Sequence, residues 1–188
     1  LAVLSQFDSF AVGLGISSLA IVAVYPFAKR VTSWPQLVLG LAFSWGALMG
    51  WANEFGDIDA PAVLLYIGAI LWTIGYDTIY AHQDKEDDAI VGVRSTARLF
   101  GDNTQSWLVG LYGGALMCFA AAFAVAQAPV VALAGLIAAA AHMGRQILTL
   151  DIDNPDQCLK LFKSNNLVGW LIFLGLIGGA LWVALKPL

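Results

Sequence analysis

The feature that most constrains this chain is a series of apolar stretches, each about as long as a bilayer is thick, joined by short polar links. A hydrocarbon interior offers no partner to a backbone N–H or C=O, so a segment crossing it closes those hydrogen bonds on itself as a helix. A bilayer-length window finds about six such spans, roughly Ser9–Phe27, Trp34–Asn53, Pro61–Ala81, Thr104–Ala126, Val130–Leu150 and Asn166–Leu185. Local signals mark several ends. Asp8 or Ser9 is placed to cap the first helix, and Pro35 suits the first turn of the second. Ala128-Pro129 separates the fourth from the fifth, and the third is expected to continue as helix into the acidic segment behind it. With 60% hydrophobic and 12% charged residues, 188 residues hold more grease than a soluble domain can hide. The expected fold is all-α, a single polytopic transmembrane helix bundle over residues 1–188. The chain begins at Leu1 in the middle of a hydrophobic pattern. Its first seven residues read as the tail of an earlier helix or loop, and the expectation is the later part of a longer protein.

The basic residues are few and lie in separate loops, which excludes a nucleic-acid surface. Lys29 and Arg30 follow the first span, Lys85, Arg94 and Arg98 the third, and Arg145, Lys160 and Lys163 the fifth. If the spans alternate, these loops share one side of the membrane. Glu54, Asp57, Asp59, the Gln127–Pro129 turn and Lys186 fall on the other. Cation-rich loops stay on the cytoplasmic or matrix side, so a bacterial or mitochondrial inner membrane is expected, with the basic loops facing inward. Cys118 lies in an apolar run and Cys158 in a polar loop, and both are read as free thiols. The many glycines within the spans, among them Gly40, Gly113, Gly114, Gly175 and Gly179, are expected at close helix contacts.

Chemistry is concentrated in Tyr76–Gly101, where Asp77, Asp84, Glu86, Asp87 and Asp88 interrupt the grease. Carboxylates at a bilayer edge are costly and are candidates for function. On a continuous helix, Asp84 and Asp88 each point within roughly 20° of the direction of Asp77. Converging carboxylates repel unless a cation lies between them, and a small set of hard oxygen ligands with room for phosphate suits Mg²⁺. Arg94-Ser95-Thr96-Ala97-Arg98 offers cations and hydroxyls to phosphate oxygens, although Ser95 or Thr96 can instead cap a helix. Tyr25 and Lys29 stand where a substrate and its phosphate can be met, a position equally suited to a membrane belt with snorkelling cations. Lys163 is placed to reach the same phosphate region, and Asn165 or Asn166 to cap the last helix. His82 is a candidate base or metal neighbour, and His142 an interhelical polar contact.

At these residues the chain resembles the UbiA superfamily of intramembrane prenyltransferases, and within it the branch that prenylates 4-hydroxybenzoate. Asp77, Asp84 and Asp88, inside Gly-Tyr-Asp-Thr-Ile-Tyr-Ala, match the family's second aspartate-rich motif. Gly92–Ala97, Leu99-Phe100-Gly101, Tyr25-Pro26-Phe27 with Lys29-Arg30, Pro35-Gln36 and Leu161–Gly169 match in order. The resemblance implies a nine-helix fold, of which about six spans are here, around a cavity open to membrane lipid. It implies a polyprenyl diphosphate donor, 4-hydroxybenzoate as acceptor and Mg²⁺ held by Asp77, Asp84 and Asp88. Arg94, Lys29 and Lys163 would grip phosphate, with Tyr25 near the donor. The family's first aspartate-rich motif is absent. Asn53-Glu54 with Asp57 lies on the wrong side to replace it. Two other readings stay open: a prenyltransferase for another acceptor such as haem, homogentisate or chlorophyllide, and a non-catalytic subunit that binds a quinone-like lipid or a larger membrane complex.

Overall fold

A computed structural model describes residues 6–185. The side chains of Lys29, Glu86, Asp87 and Ala89 lie outside the described set, as do the expectations placed on Leu1 and Lys186. Among the described residues, nine α-helices follow one another: α1 (Ser9–Val31), α2 (Pro35–Phe43), α3 (Trp45–Phe55), α4 (Ala60–Ala81), α5 (Lys85–Val91), α6 (Thr96–Phe100), α7 (Thr104–Val125), α8 (Ala132–Thr149) and α9 (Pro155–Ala184). A turn of 3-10 helix, Gly101–Asn103, links α6 to α7.

The caps follow from side-chain chemistry. Asp8 accepts the Ala11 N–H at 2.7 Å and starts α1, and Pro35 occupies the first turn of α2. At the expected fourth break, α7 closes as Ala128 N–H reaches back to Phe123 O at 2.8 Å, with Gln127 at φ 54° making the reversal. Three expectations are corrected. The second span is two helices that meet at Ser44. The last helix starts eleven residues earlier than expected, with Asn154 as its cap (Oδ1 accepts Gln157 N–H at 3.1 Å) and Pro155 behind it. Asn165 and Asn166 therefore lie inside α9 and cap nothing. The third correction, at the end of α4, bears on the site and is described below.

α4 is the hub, packing against α7, α2, α9 and α3, while α8 pairs with α9 and α1 leans on α2 and α3. Ile79, Leu108, Tyr112, Ala139, Met143 and Val168 form the main core between α4, α7, α8 and α9. Phe119, Phe123 and Leu136 fill its other end, and Ile70, Ile74, Phe100 and Leu111 fill the α4–α6–α7 side. Phe100 stacks on Trp107 with ring centroids 4.4 Å apart. Close approach is set by glycine. A Cβ on Gly175 would lie 2.8 Å from Ala132 O and from Gly135 Cα, so α8 and α9 touch backbone to backbone there. Gly40 sits tightly against Ile70 and Gly114 against Leu71, as expected, whereas Gly113 faces open space.

The outward faces remain apolar and exposed, as with Leu19 on α1 and Leu174 and Leu181 on α9. Four helical stretches, Ser9–Ala28, Ala60–Ala81, Thr96–Val125 and Pro155–Ala184, are long and apolar enough to cross a membrane. A multi-pass membrane protein leaves such faces to lipid, which accepts them at no hydrophobic cost. The three basic links gather at one end of the bundle. Arg94 Nη1 donates to Val31 O at 3.1 Å, and Gln105 Nε2 donates to Ile147 O and Leu150 O at 3.3 Å each.

Candidate functional site

The acidic segment is not one helix. α4 stops at Ala81, and His82 N–H and Gln83 N–H turn back three residues to Ile79 O and Tyr80 O. A new helix, α5, begins with Asp84 as its N-cap residue. The expectation that Asp77, Asp84 and Asp88 share a helix face is therefore overturned. The physical reason is charge, because a carboxylate is disfavoured at the C-terminal end of a helix dipole. At the start of α5 the Asp84 carboxylate meets the positive end of the helix dipole, whereas in an uninterrupted helix it would meet the negative end. Its carboxylate makes no capping hydrogen bond, and its carbonyl accepts Asp88 N–H at 2.8 Å. Asp77 is half-buried on the last turns of α4, Asp84 is exposed, and Asp88 is half-buried in α5.

Among the described residues no three His, Cys, Asp or Glu side chains are grouped so as to hold a metal ion. The donors present do not form a cage. Carboxylate oxygens are the donor type taken by a divalent ion that keeps several waters, binds one or two carboxylates and shares substrate phosphate oxygens.

His82, behind the turn, is 3% exposed, with Nε2 2.9 Å from the Thr104 hydroxyl. That hydroxyl donates to Gly101 O at 2.6 Å, so the histidine nitrogen is the donor between them. Burial, reinforced by the nearby Lys85 charge, pushes the imidazole down to about 4, against a pull upward from Asp153. His82 is a neutral strut between the turn and α7. A second strut runs from Thr78, whose hydroxyl lies 2.6 Å from that of Thr96, to Gln36, which accepts Thr96 N–H at 3.1 Å. Ser95 caps α6 by accepting Arg98 N–H at 3.4 Å. His142 meets Ser164 across α8 and α9 at 3.2 Å, the expected interhelical contact, and both cysteines are free.

A groove opens between α4 and α9. Its end nearer the basic loops, about 310 Å³, is lined by Trp72, Tyr76, Phe162, Lys163, Asn165 and Asn166. It continues past the same Trp72, Asn165 and Asn166 into a second hollow of about 390 Å³ bounded by Gly169, Trp170 and Phe173. From Phe162 to Phe173 the groove follows α9 for roughly 16 Å at 1.5 Å per residue. Tyr76, next to Asp77, packs against Phe162 at 5.7 Å, and Tyr80 packs on the same ring at 4.6 Å. Asn165 Oδ1 accepts the Trp72 indole N–H at 2.9 Å, while Nδ2 donates to Leu161 O and Phe162 O.

Lys163 is thus at the groove, with Asp77 one residue beyond its wall. Tyr25, half-buried on α1, lines neither hollow, and the Lys29 side chain is outside the described set. Arg94 lines a different hollow with Ser33, Ser95, Arg98 and Leu99. Trp72, Tyr76 and Phe162 were missed from sequence; the signal available was an aromatic at every fourth position before and within the motif, Trp72, Tyr76 and Tyr80.

The sequence profile of the UbiA prenyltransferase family matches residues 1–174. The chain belongs to the UbiA prenyltransferase family. Its relatives include the mitochondrial 4-hydroxybenzoate polyprenyltransferases of Drosophila melanogaster (49% identical over 96% of this chain and 46% of the relative) and Homo sapiens (44% over 97% and 49%). The chain spans about half the length of these curated relatives. The apo structure of a UbiA homolog from Aeropyrum pernix K1 shares the fold, with a TM-score of 0.75 at 23% identity, over 94% of this chain and 66% of that one. In this UbiA-family chain the acidic segment is a helix, a turn and a second short helix, and the groove beside it is walled by aromatics.

Proposed function

We propose that this chain belongs to an enzyme that transfers an all-trans polyprenyl group from its diphosphate to the aromatic ring of 4-hydroxybenzoate, within ubiquinone biosynthesis. The observation that carries the reading is the 44–49% identity, across nearly the whole chain, to relatives that bear that name. The α4–α9 groove gives it a physical frame. Its apolar hollow, walled by Gly169, Trp170 and Phe173, suits an isoprenoid tail, and the Lys163 that lines its other end suits a diphosphate.

Asp77, Asp84 and Asp88 are the residues assigned to hold Mg²⁺ in its partly hydrated mode, while the roles given to Tyr25 and Lys29 rest on the family motif alone. A bound magnesium ion neutralises diphosphate charge and makes it a better leaving group. Lys163 holds phosphate oxygens as a point charge. The faces of Tyr76, Phe162 and Trp72 attract the positive charge that develops on the allylic carbon, and the apolar walls keep water from capturing it. The ring carbon ortho to the hydroxyl then takes that carbon and gives up its proton. Arg94 is left out of this set, because it faces the other hollow. The membrane assigned is the mitochondrial or bacterial inner membrane, with the basic end of the bundle toward matrix or cytoplasm.

The test is transfer to radiolabelled 4-hydroxybenzoate by the full-length protein containing this chain. Asp77→Ala and Asp84→Ala are expected to lower turnover by orders of magnitude while the protein still inserts. Near-normal turnover in both, or activity with a non-benzoate acceptor alone, would remove the assignment.

A further inference from the structure

The hollow that holds Arg94 lies away from the groove. It is formed by Ser33 on the α1–α2 link, Arg94 and Ser95 on the α5–α6 loop, and Arg98 and Leu99 on α6, and it encloses about 310 Å³. It shares no residue with either part of the groove. Its two cations are fixed by the backbone. Arg94 Nη1 donates to Val31 O, the last carbonyl of α1. Arg98 Nη1 donates to Asp88 O at 3.3 Å and to Val93 O. Carbonyls at helix ends carry partial negative charge and orient cations well. Among the described residues no carboxylate lines the hollow. Each guanidinium carries five N–H donors in a planar fork, and these contacts occupy one nitrogen of each. The remaining donors, with the Ser33 hydroxyl, match the oxygens of a phosphate.

The surroundings select the source of that phosphate. Exposed Leu99 lines the hollow, Val31, whose carbonyl holds Arg94, is 73% exposed, and Ile90 and Val91 on the neighbouring α5 are exposed as well. Aliphatic side chains next to guanidinium groups fit the zone where lipid headgroups meet acyl chains, and basic pockets at such depth recognise anionic headgroups. We propose that the Ser33–Arg94–Arg98 hollow binds the phosphate of an anionic membrane phospholipid in the leaflet at the basic end. The site shares no lining residue with the groove, although Arg98 is tied to the backbone of Asp88. A free phosphate has the same oxygen chemistry but no use for the apolar rim.

The test is native mass spectrometry of the full-length protein released from neutral detergent, titrated with dioleoyl phosphatidylglycerol or dioleoyl phosphatidylcholine. The expected result is selective retention of phosphatidylglycerol. Arg94→Gln with Arg98→Gln should weaken it by about tenfold or more, the scale of one lost charge-assisted hydrogen bond. Because those arginines also tie loops together, Ser33→Asp is the second variant. It sets a negative charge in the hollow without touching an anchoring carbonyl, and it should weaken phosphatidylglycerol alone. Equal retention of the two lipids by the wild-type protein, or unchanged phosphatidylglycerol binding in Ser33→Asp, would overturn the proposal. So would displacement of phosphatidylglycerol by inorganic phosphate at comparable concentration, which would assign the hollow to a soluble anion.

Discussion

Asn165 holds the Trp72 indole N–H at 2.9 Å, joining two residues 93 positions apart at the point where the two hollows of the groove meet. Removing the acceptor leaves a half-buried N–H with nothing to bind. Asn165→Leu is expected to cost about 1–3 kcal/mol, read as a lower thermal midpoint in detergent. In a Trp72→Phe background, where no donor is left stranded, Asn165→Leu should cost less. Equal losses in the two backgrounds would mean that the Trp72 contact is not what matters.

The glycine contacts give a graded prediction. Gly175→Ala pushes a methyl group against backbone atoms of Ala132 and Gly135, which cannot turn aside as a flexible side chain would. It should destabilise by about 1–3 kcal/mol. Gly113→Ala, with open space around it, should be neutral or slightly stabilising. Thermal unfolding of the two variants side by side decides the matter.

Those contacts also show what could be read from sequence. Asp8, Pro35 and the Ala128-Pro129 turn act on their own neighbours, so their roles were legible. The breaks at Ser44 and at His82–Asp84 were not. Each lacks Gly or Pro, and a window that averages hydropathy over a bilayer thickness passes over a one- to three-residue interruption. Asn154 was overlooked as a cap because polar residues in its loop disguised the first turns of α9. Asp77, Asp84, Asp88 and Lys163 stood out by composition alone. The aromatic wall did not, because Trp72 and Phe162 become neighbours of one groove only once α4 and α9 pack.

His82 gives the fold a pH dependence of known sign. Buried neutral, it binds its proton near pH 4 in the folded state and near 6.5 when unfolded. Its contribution is complete above the unfolded value and is lost as pH falls from 6.5 toward 4, where the unfolded chain takes up a proton the folded chain refuses. The thermal midpoint should drop across that window, and His82→Gln should flatten the slope. A slope unchanged in the variant would assign the pH response elsewhere.

Chelation separates the carboxylates from the lysine. Removing divalent ions with EDTA should abolish transfer by the full-length enzyme, and Mg²⁺ should restore it. Lys163→Met should lower kcat/KM for the donor by roughly 10- to 100-fold, as expected for one hydrogen bond to a charged group. Persistence of transfer in EDTA would show that the assigned aspartates act without an ion.

The backbone contact of Gly135 with Gly175 has a mechanical consequence. Near the other end of the same pair, Gln146 Nε2 donates to the Ser164 hydroxyl at 2.7 Å, so α8 and α9 are riveted at two heights. A pair fastened twice behaves as one body, so the wall that α9 gives the groove beside Trp72 has the stiffness of two helices.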